Sequence, residues 1–123
     1  MQDPPTITEL LAATAAFLRE VAVPQLAGHA SFHARVAANA LDIVKREIEL
    51  RPAAERDEHA RLNALLQVEG STEELNALLS RRIAAGELDL QTPGLAEHLW
   101  ATTLAKVAID QPTYASYRRE TGT

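Results

Sequence analysis

Apolar positions in this chain recur at three- and four-residue intervals almost from end to end, which is the period of an amphipathic helix. The pattern is fullest in residues 31–50. Set out at about 100° per residue, Phe32, Val36, Ile43 and Leu50 fall on one line. Ala37, Ala40, Leu41, Val44 and Ile48 widen that line to about half the circumference. A helix apolar over so much of its surface must touch several neighbours. The spacing therefore predicts a central helix over residues 31–50, roughly 30 Å long, with Ser31 as its N-cap. Two polar residues, His33 and Glu47, fall inside the apolar half, and Asn39 sits at its edge.

The flanking patterns predict four more helices. Pro4 and Pro5 make residues 1–5 an extended lead-in. Thr6, with Glu9 three residues on, forms a capping box. It opens a first helix to about residue 22, striped by Ile7, Leu10, Leu11, Thr14, Phe17, Leu18 and Val21. Pro24 should end it, and Gly28 is the most permissive point of the following turn. Pro52 suits the first position of a third helix, reaching about residue 68 with a thin apolar face of Leu62, Leu65 and Leu66. Ser71 and Glu74 form a second capping box. It starts a helix with Leu75, Leu78, Leu79 and Ile83 inward and Gly86 as its left-handed stop. Leu88 and Leu90 are expected to tuck inward. Thr92 and Pro93 read as cap and first turn of a helix to Asp110, stopped by Pro112, with one more short helical turn in residues 113–119. No strand pattern or internal repeat competes. The expectation is an all-α fold, a single-domain bundle of about five helices over residues 1–123, with the residue 31–50 helix central.

Composition narrows the function classes. The chain has 123 residues, 46% of them hydrophobic but only 4% aromatic, and many of the apolar residues are alanine. Helices can therefore approach closely while burying little area per residue. Seventeen acidic residues against twelve basic ones give a net charge of −5, which argues against a general nucleic-acid binder. The absence of cysteine excludes disulfide and thiol chemistry. No apolar run approaches the roughly 18 residues of a membrane span, and the N-terminus lacks the pattern of a signal peptide. The expectation is a cytoplasmic protein that binds neither membrane nor nucleic acid; homo-oligomer formation is left open.

The polar exceptions carry the candidate chemistry. His33 and Glu47 are fourteen residues apart, about 21 Å along a helix, so they cannot pair with each other. Thr103, Lys106 and Asp110 share one stripe of the late helix. If that helix runs antiparallel to the central one, Lys106 and Asp110 come near His33, Arg35 and Asn39. Such a cluster is either a structural salt-bridge network or a pocket for an anion or carboxylate, with Arg35 making a bidentate contact. Arg35, Asn39, Asp42 and Arg46 form a polar ridge beside the apolar face, open to solvent, to internal helix–helix bonds or to a partner. His29 and His33 have a helical metal-ligand spacing, but a cap at Ser31 puts His29 outside the helix, so no metal site is expected. His59 and His98 read as lone surface or rim residues. Arg82 is placed to reach an acid such as Asp89. No nucleophile elbow, phosphate loop or glycine fingerprint is present, so no catalytic residue and no cofactor are expected.

Three segments carry a resemblance. They are Met1-Gln2-Asp3-x-Pro5; Phe32-His33-Ala34-Arg35-Val36-Ala37-Ala38-Asn39-Ala40-Leu41; and Lys106-x-Ala108-Ile109-Asp110-x-Pro112-x-Tyr114. With Gly86-Glu87-Leu88-Asp89, they resemble a bacterial family of short all-helical proteins of unknown function. Members tend to be encoded beside proteins resembling aminoglycoside phosphotransferases and near acyl-CoA dehydrogenases. The resemblance implies a shared pathway and supplies no catalytic residue. The expected function is a non-catalytic accessory or protein-interaction module working with a phosphotransferase-like neighbour. The alternative is a small-ligand-binding protein or minor enzyme. The candidate residues in either case are His33, Arg35, Asn39, Glu47, Lys106 and Asp110.

Overall fold

A computed structural model describes residues 3–123 of the protein. Met1 and Gln2, which begin the lead-in and the first segment of the resemblance, lie outside the described residues. All regular structure among the described residues is helical. Five helices follow in order: α1 (Ile7–Phe17), α2 (Gly28–Leu66), α3 (Thr72–Ala84), α4 (Leu95–Asp110) and α5 (Ala115–Thr121). A π-helical turn, Leu18–Ala22, and a last α-turn, Val23–Gln25, extend α1. The number matches the expectation, but the division differs. The expected second and third helices are one, and the short C-terminal turn is the fifth. Contacts group the chain into two compact units, Met1–Leu50 and Arg51–Thr123. Residues 28–50 of α2 belong to the first and residues 51–66 to the second.

In the first unit the capping box of α1 forms as read. The Glu9 amide donates to the Thr6 hydroxyl at 3.3 Å, and the Thr6 amide donates to the Glu9 carboxylate at 2.6 Å. The second bond holds the Glu9 carboxyl below its ordinary range. Pro24 does not stop the helix. In an α-helix its ring would strike the carbonyl of Glu20, four residues back. The π-turn widens the backbone there, with the Val23 amide donating to the Leu18 carbonyl, and helical structure passes the proline to Gln25. Only Leu26 and Ala27 separate it from α2, which opens on Gly28 at φ +57°. Ser31 therefore lies inside α2, not at its cap, and its hydroxyl donates to the Val23 carbonyl at 3.4 Å.

The first unit's core is made of alanine. Among the described residues, Ala15, Ala34 and Ala38 are its buried ones. Ala34 and Ala38 are one turn apart and define the inward face of α2, where Ala38 is 0% exposed. The line predicted to be central lies about 150° away around that helix, at 100° per residue. Phe32 is 58% exposed and Val36 46%, Leu50 is exposed too, and Ile43 is half-buried. On α1, Ile7, Leu10, Phe17 and Val21 likewise face solvent, while Leu11 and Leu18 are half-buried. Alanines thus hold the buried positions of this unit, and the large side chains lie outward.

The second unit has a leucine core, and here the periodicity reads correctly for the core leucines, although Ile83, expected inward on α3, is 39% exposed. Leu62 and Leu66 of α2, Leu75 and Leu79 of α3 and Leu95 of α4 form one buried cluster. Leu65, Leu78 and Leu88 pack against it. Pro52 sits inside α2 and costs it one bond, since proline has no amide to offer the Ile48 carbonyl. Residues 48 and 52 are both exposed, so water can serve that carbonyl. Gln67 ends the helix in the left-handed region, at φ +55°. The Ser71–Glu74 box caps α3 with bonds of 3.1 and 2.8 Å, and it lowers the Glu74 pKa as Thr6 does for Glu9. Gly86, at φ +75°, follows the C-cap of α3, and the Glu87 amide reaches back to the Arg82 carbonyl at 2.9 Å.

The loop before α4 departs from expectation at two points. The Thr92 hydroxyl accepts from the Asp89 amide at 3.0 Å, while the Asp89 carboxylate accepts from the Gln91 amide at 2.8 Å. That turn uses the hydroxyl expected to cap the helix, and α4 begins instead at Leu95 behind Gly94. Leu90, at the outside of this turn, is 73% exposed and does not tuck inward.

Candidate functional site

The polar ridge of the first unit is drawn together by a residue the sequence pattern left on the outer face of α1. Arg19 lies in the π-turn, and its Nη2 donates to Asn39 Oδ1 at 2.8 Å and Asp42 Oδ2 at 2.6 Å. These bonds and the Ser31–Val23 bond tie the α1 segment to residues 31–42 of α2. Half of the ridge is thus an internal helix–helix clamp, with the guanidinium and carboxylate still partly open to water. Arg35 is exposed and makes no hydrogen bond or ion pair among the described residues. His33 is also exposed, and its ring stands edge-on to Phe32 with centroids 5.6 Å apart. His29 is inside α2, contrary to expectation, so the two histidines share the i, i+4 spacing. No group of three or more metal-ligating side chains occurs among the described residues. Glu47 is half-buried.

Around this clamp the first unit presents large apolar side chains to solvent. Phe32, Val36 and Leu50 line one side of α2, and Val44 and Ile48 follow at the next angle. Ile7, Leu10 and Phe17 do the same on α1. Single exposed leucines are ordinary; this many in one unit of a chain is the kind of surface that marks an interaction site.

The remaining candidates, Lys106 and Asp110, lie on α4 in the second unit. Both are exposed. Arg82 pairs with Glu87 at 3.8 Å, not with Asp89, and donates to the Leu66 carbonyl at 3.3 Å.

The second unit also holds a polar cluster that the sequence reading missed. His98 is 2% exposed, not a surface residue. Arg61 Nε donates to His98 Nδ1 at 3.4 Å, and Arg61 Nη2 donates to the Thr102 hydroxyl at 3.3 Å. Burial lowers the His98 pKa, the Arg61 charge lowers it further, and Glu58 opposes them weakly. The ring is therefore neutral, as an acceptor at Nδ1 must be. Glu58 is held by the Asn76 amide at 2.9 Å. His59 is half-buried. Its Nε2 donates to the Gly70 carbonyl at 2.8 Å and its Nδ1 accepts from Asn63 at 3.3 Å. This is a bolt between the end of α2 and the loop before α3. The signal for His98 was its place three residues after Leu95 on the inward stripe of α4. An open groove of about 420 Å³, lined by Pro52, Glu55, Arg56, His59 and Thr72, lies alongside. No helix among the described residues is long and apolar enough to cross a membrane.

Residues 24–114 match the family described as a domain of unknown function, DUF6285, and the chain belongs to that family. The match spans both units, the Arg35–Asp42 ridge and the Arg61–His98 cluster. No curated protein and no solved structure matches the chain.

Proposed function

We propose that the protein is a helical interaction module, a non-catalytic accessory whose docking surface is the apolar exterior of the first unit. The observation that carries this reading is the inversion of that unit. Its buried residues are alanines, while Phe32, Val36, Leu50, Phe17 and Leu10 are held out to solvent. Apolar area kept in contact with water is costly, at about 25 cal/mol per Å², and a partner removes that cost on binding. The resemblance supplies the class of partner, a phosphotransferase-like protein encoded nearby. Arg35 stands beside Phe32 with no partner of its own among the described residues. It is the residue to steer and orient such a contact, with Asn39 one turn further along the same ridge and His33, Glu47, Lys106 and Asp110 as further candidates.

The test is co-purification of the full chain with the phosphotransferase-like neighbour, in wild type and in Arg35→Ala. The wild type is expected to retain the neighbour, and Arg35→Ala to weaken the complex while its melting temperature stays within a degree or two of wild type. Failure of the wild-type chain to bind removes this partner. An unweakened complex with Arg35→Ala moves the contact away from the ridge.

A further inference from the structure

The four histidines of the chain divide into two pairs by what their rings do. His59 and His98 are committed to the fold of the second unit. Both nitrogens of His59 are hydrogen-bonded, and His98 is buried with its Nδ1 against Arg61. His29 and His33 are both exposed, and neither makes a hydrogen bond or ion pair among the described residues. The edge-on contact of His33 with Phe32 is between rings adjacent in sequence.

The spacing of this free pair is one that a metal ion can use. A cap at Ser31 would have put His29 outside the helix and broken the geometry. Because α2 begins at Gly28 instead, His29 and His33 stand one turn apart on the same side of it. Residues four apart on a helix hold their Cβ atoms roughly 5–6 Å apart. Two imidazoles so placed can reach one ion at about 2.0–2.1 Å from each nitrogen, which is the use made of the same spacing in helical zinc motifs. Ser31, between the two, ties this turn down, with its hydroxyl on the Val23 carbonyl at 3.4 Å. The other positions one turn from either histidine within α2 are Ala30, Phe32, Val36 and Ala37. They hold no Lys or Arg to oppose a cation.

We infer that His29 and His33 form a two-imidazole binding site for a divalent transition-metal ion on the first turns of α2. Groups of three or more metal-ligating side chains do not occur among the described residues, so water completes the coordination sphere and the ion is exchangeable. Neutral nitrogen ligands select Cu²⁺, Ni²⁺ and Zn²⁺ over the oxygen-seeking Mg²⁺ and Ca²⁺, and Cu²⁺ binds tightest of these in the general order of divalent affinities. The second imidazole meets an ion already held by the first, at high effective concentration, so the pair binds more tightly than either ring alone. The site needs no partner protein and stands apart from the docking surface. A bound ion also clips the opening turn of α2, in a unit whose buried side chains are alanines.

The experiment uses the full, untagged chain purified alone, with the metal chlorides as probes. The chain has no cysteine, so no thiol reduces Cu²⁺ during the titration. Calorimetry at neutral pH is expected to show a single Cu²⁺ per chain, weaker uptake of Ni²⁺ and Zn²⁺, and none of Mg²⁺ or Ca²⁺. His29→Ala and His33→Ala are each expected to weaken Cu²⁺ binding by at least about tenfold, because either change leaves one ring without its chelate partner. Both side chains are exposed, so the far-ultraviolet circular dichroism of the variants should match wild type. Zn²⁺ is expected to raise the melting temperature of wild type and of neither variant, since the paired geometry exists only in the folded helix. Paramagnetic Cu²⁺ is expected to broaden the amide signals around His29 and His33 before any others. A chain that takes up no Cu²⁺, or takes it up equally well in both variants, overturns the inference. So does a loss in one variant alone, which would mean a single-histidine site, or broadening centred elsewhere.

Discussion

The two units of this chain build helical cores from opposite materials. The second buries Leu62, Leu66, Leu75, Leu79 and Leu95, although Leu90, Trp100 and Tyr114 stay exposed there too. The first buries Ala15, Ala34 and Ala38 and leaves its largest side chains outside. Both patterns have helical period, and both would be drawn as amphipathic on a wheel. The difference shows that periodicity identifies an apolar face without identifying its cover. A leucine face is covered where the chain itself supplies leucines from other helices. Where the chain buries an alanine face on the other side of the same helix, the large face is left outside.

The comparison can be broken by volume. Leu75→Ala should cost the second unit about 2–5 kcal/mol, through lost burial and an unfilled cavity. The opposite change should harm the first unit: Ala38→Leu overpacks a site with no exposed surface and should cost about 1–3 kcal/mol. Urea denaturation of both variants checks the pair. A harmless Leu75→Ala, or an Ala38→Leu that stabilises, would mean the two cores are not built as described. Next in size is Ser71→Ala, which removes one half of the α3 capping box and should cost about 0.5–2 kcal/mol.

A pH series sharpens the comparison further. Because the folded protein holds His98 with a lowered pKa, the unfolded chain binds the proton more readily. Stability from this group is therefore complete above about pH 6.5, the unfolded value, and is lost as pH falls through the lower folded value. Denaturation midpoints from pH 8 down to 5 should fall in wild type, and less steeply in His98→Gln. Equal slopes would place the titration elsewhere. The smallest effect is expected in the first unit. Arg19→Ala opens a partly exposed clamp on Asn39 and Asp42 and should cost about 0.2–1 kcal/mol, with salt reducing the difference from wild type.

What could be read from the chain was local chemistry. The Thr6–Glu9 and Ser71–Glu74 boxes, the left-handed Gly86 and the buried Leu62, Leu66, Leu75 and Leu79 are signals contained within three to seven residues, and all stand in the structure. The errors came where a local signal met a second demand. Ser31 has a capping hydroxyl, yet Gly28 could start the helix earlier by taking φ +57°. Thr92 was drawn into the turn at Asp89. Pro24 and Pro52 each remove only one amide, and a widened turn or an exposed carbonyl absorbs that loss. Of the candidate residues, Asn39 was legible as a boundary residue. Its partner Arg19 was not, because an inserted π-turn shifts every later side chain of that helix. The Arg61–His98 contact joins positions 37 residues apart, and no spacing rule reaches across that distance.

Pro52 has a further consequence, in the time domain. An α-helix guards its amide hydrogens as a ladder, each rung held by neighbours on both sides. At residue 52 there is no amide hydrogen to guard, and the Ile48 carbonyl has lost its rung. Opening events that begin among the alanine contacts before this gap need not travel past it, and those after it are opposed by Leu62 and Leu66. A single unbroken helix would then keep two clocks. In deuterated buffer, amides of residues 53–66 should persist long after those of residues 32–48 have exchanged, with the change of pace falling at the proline.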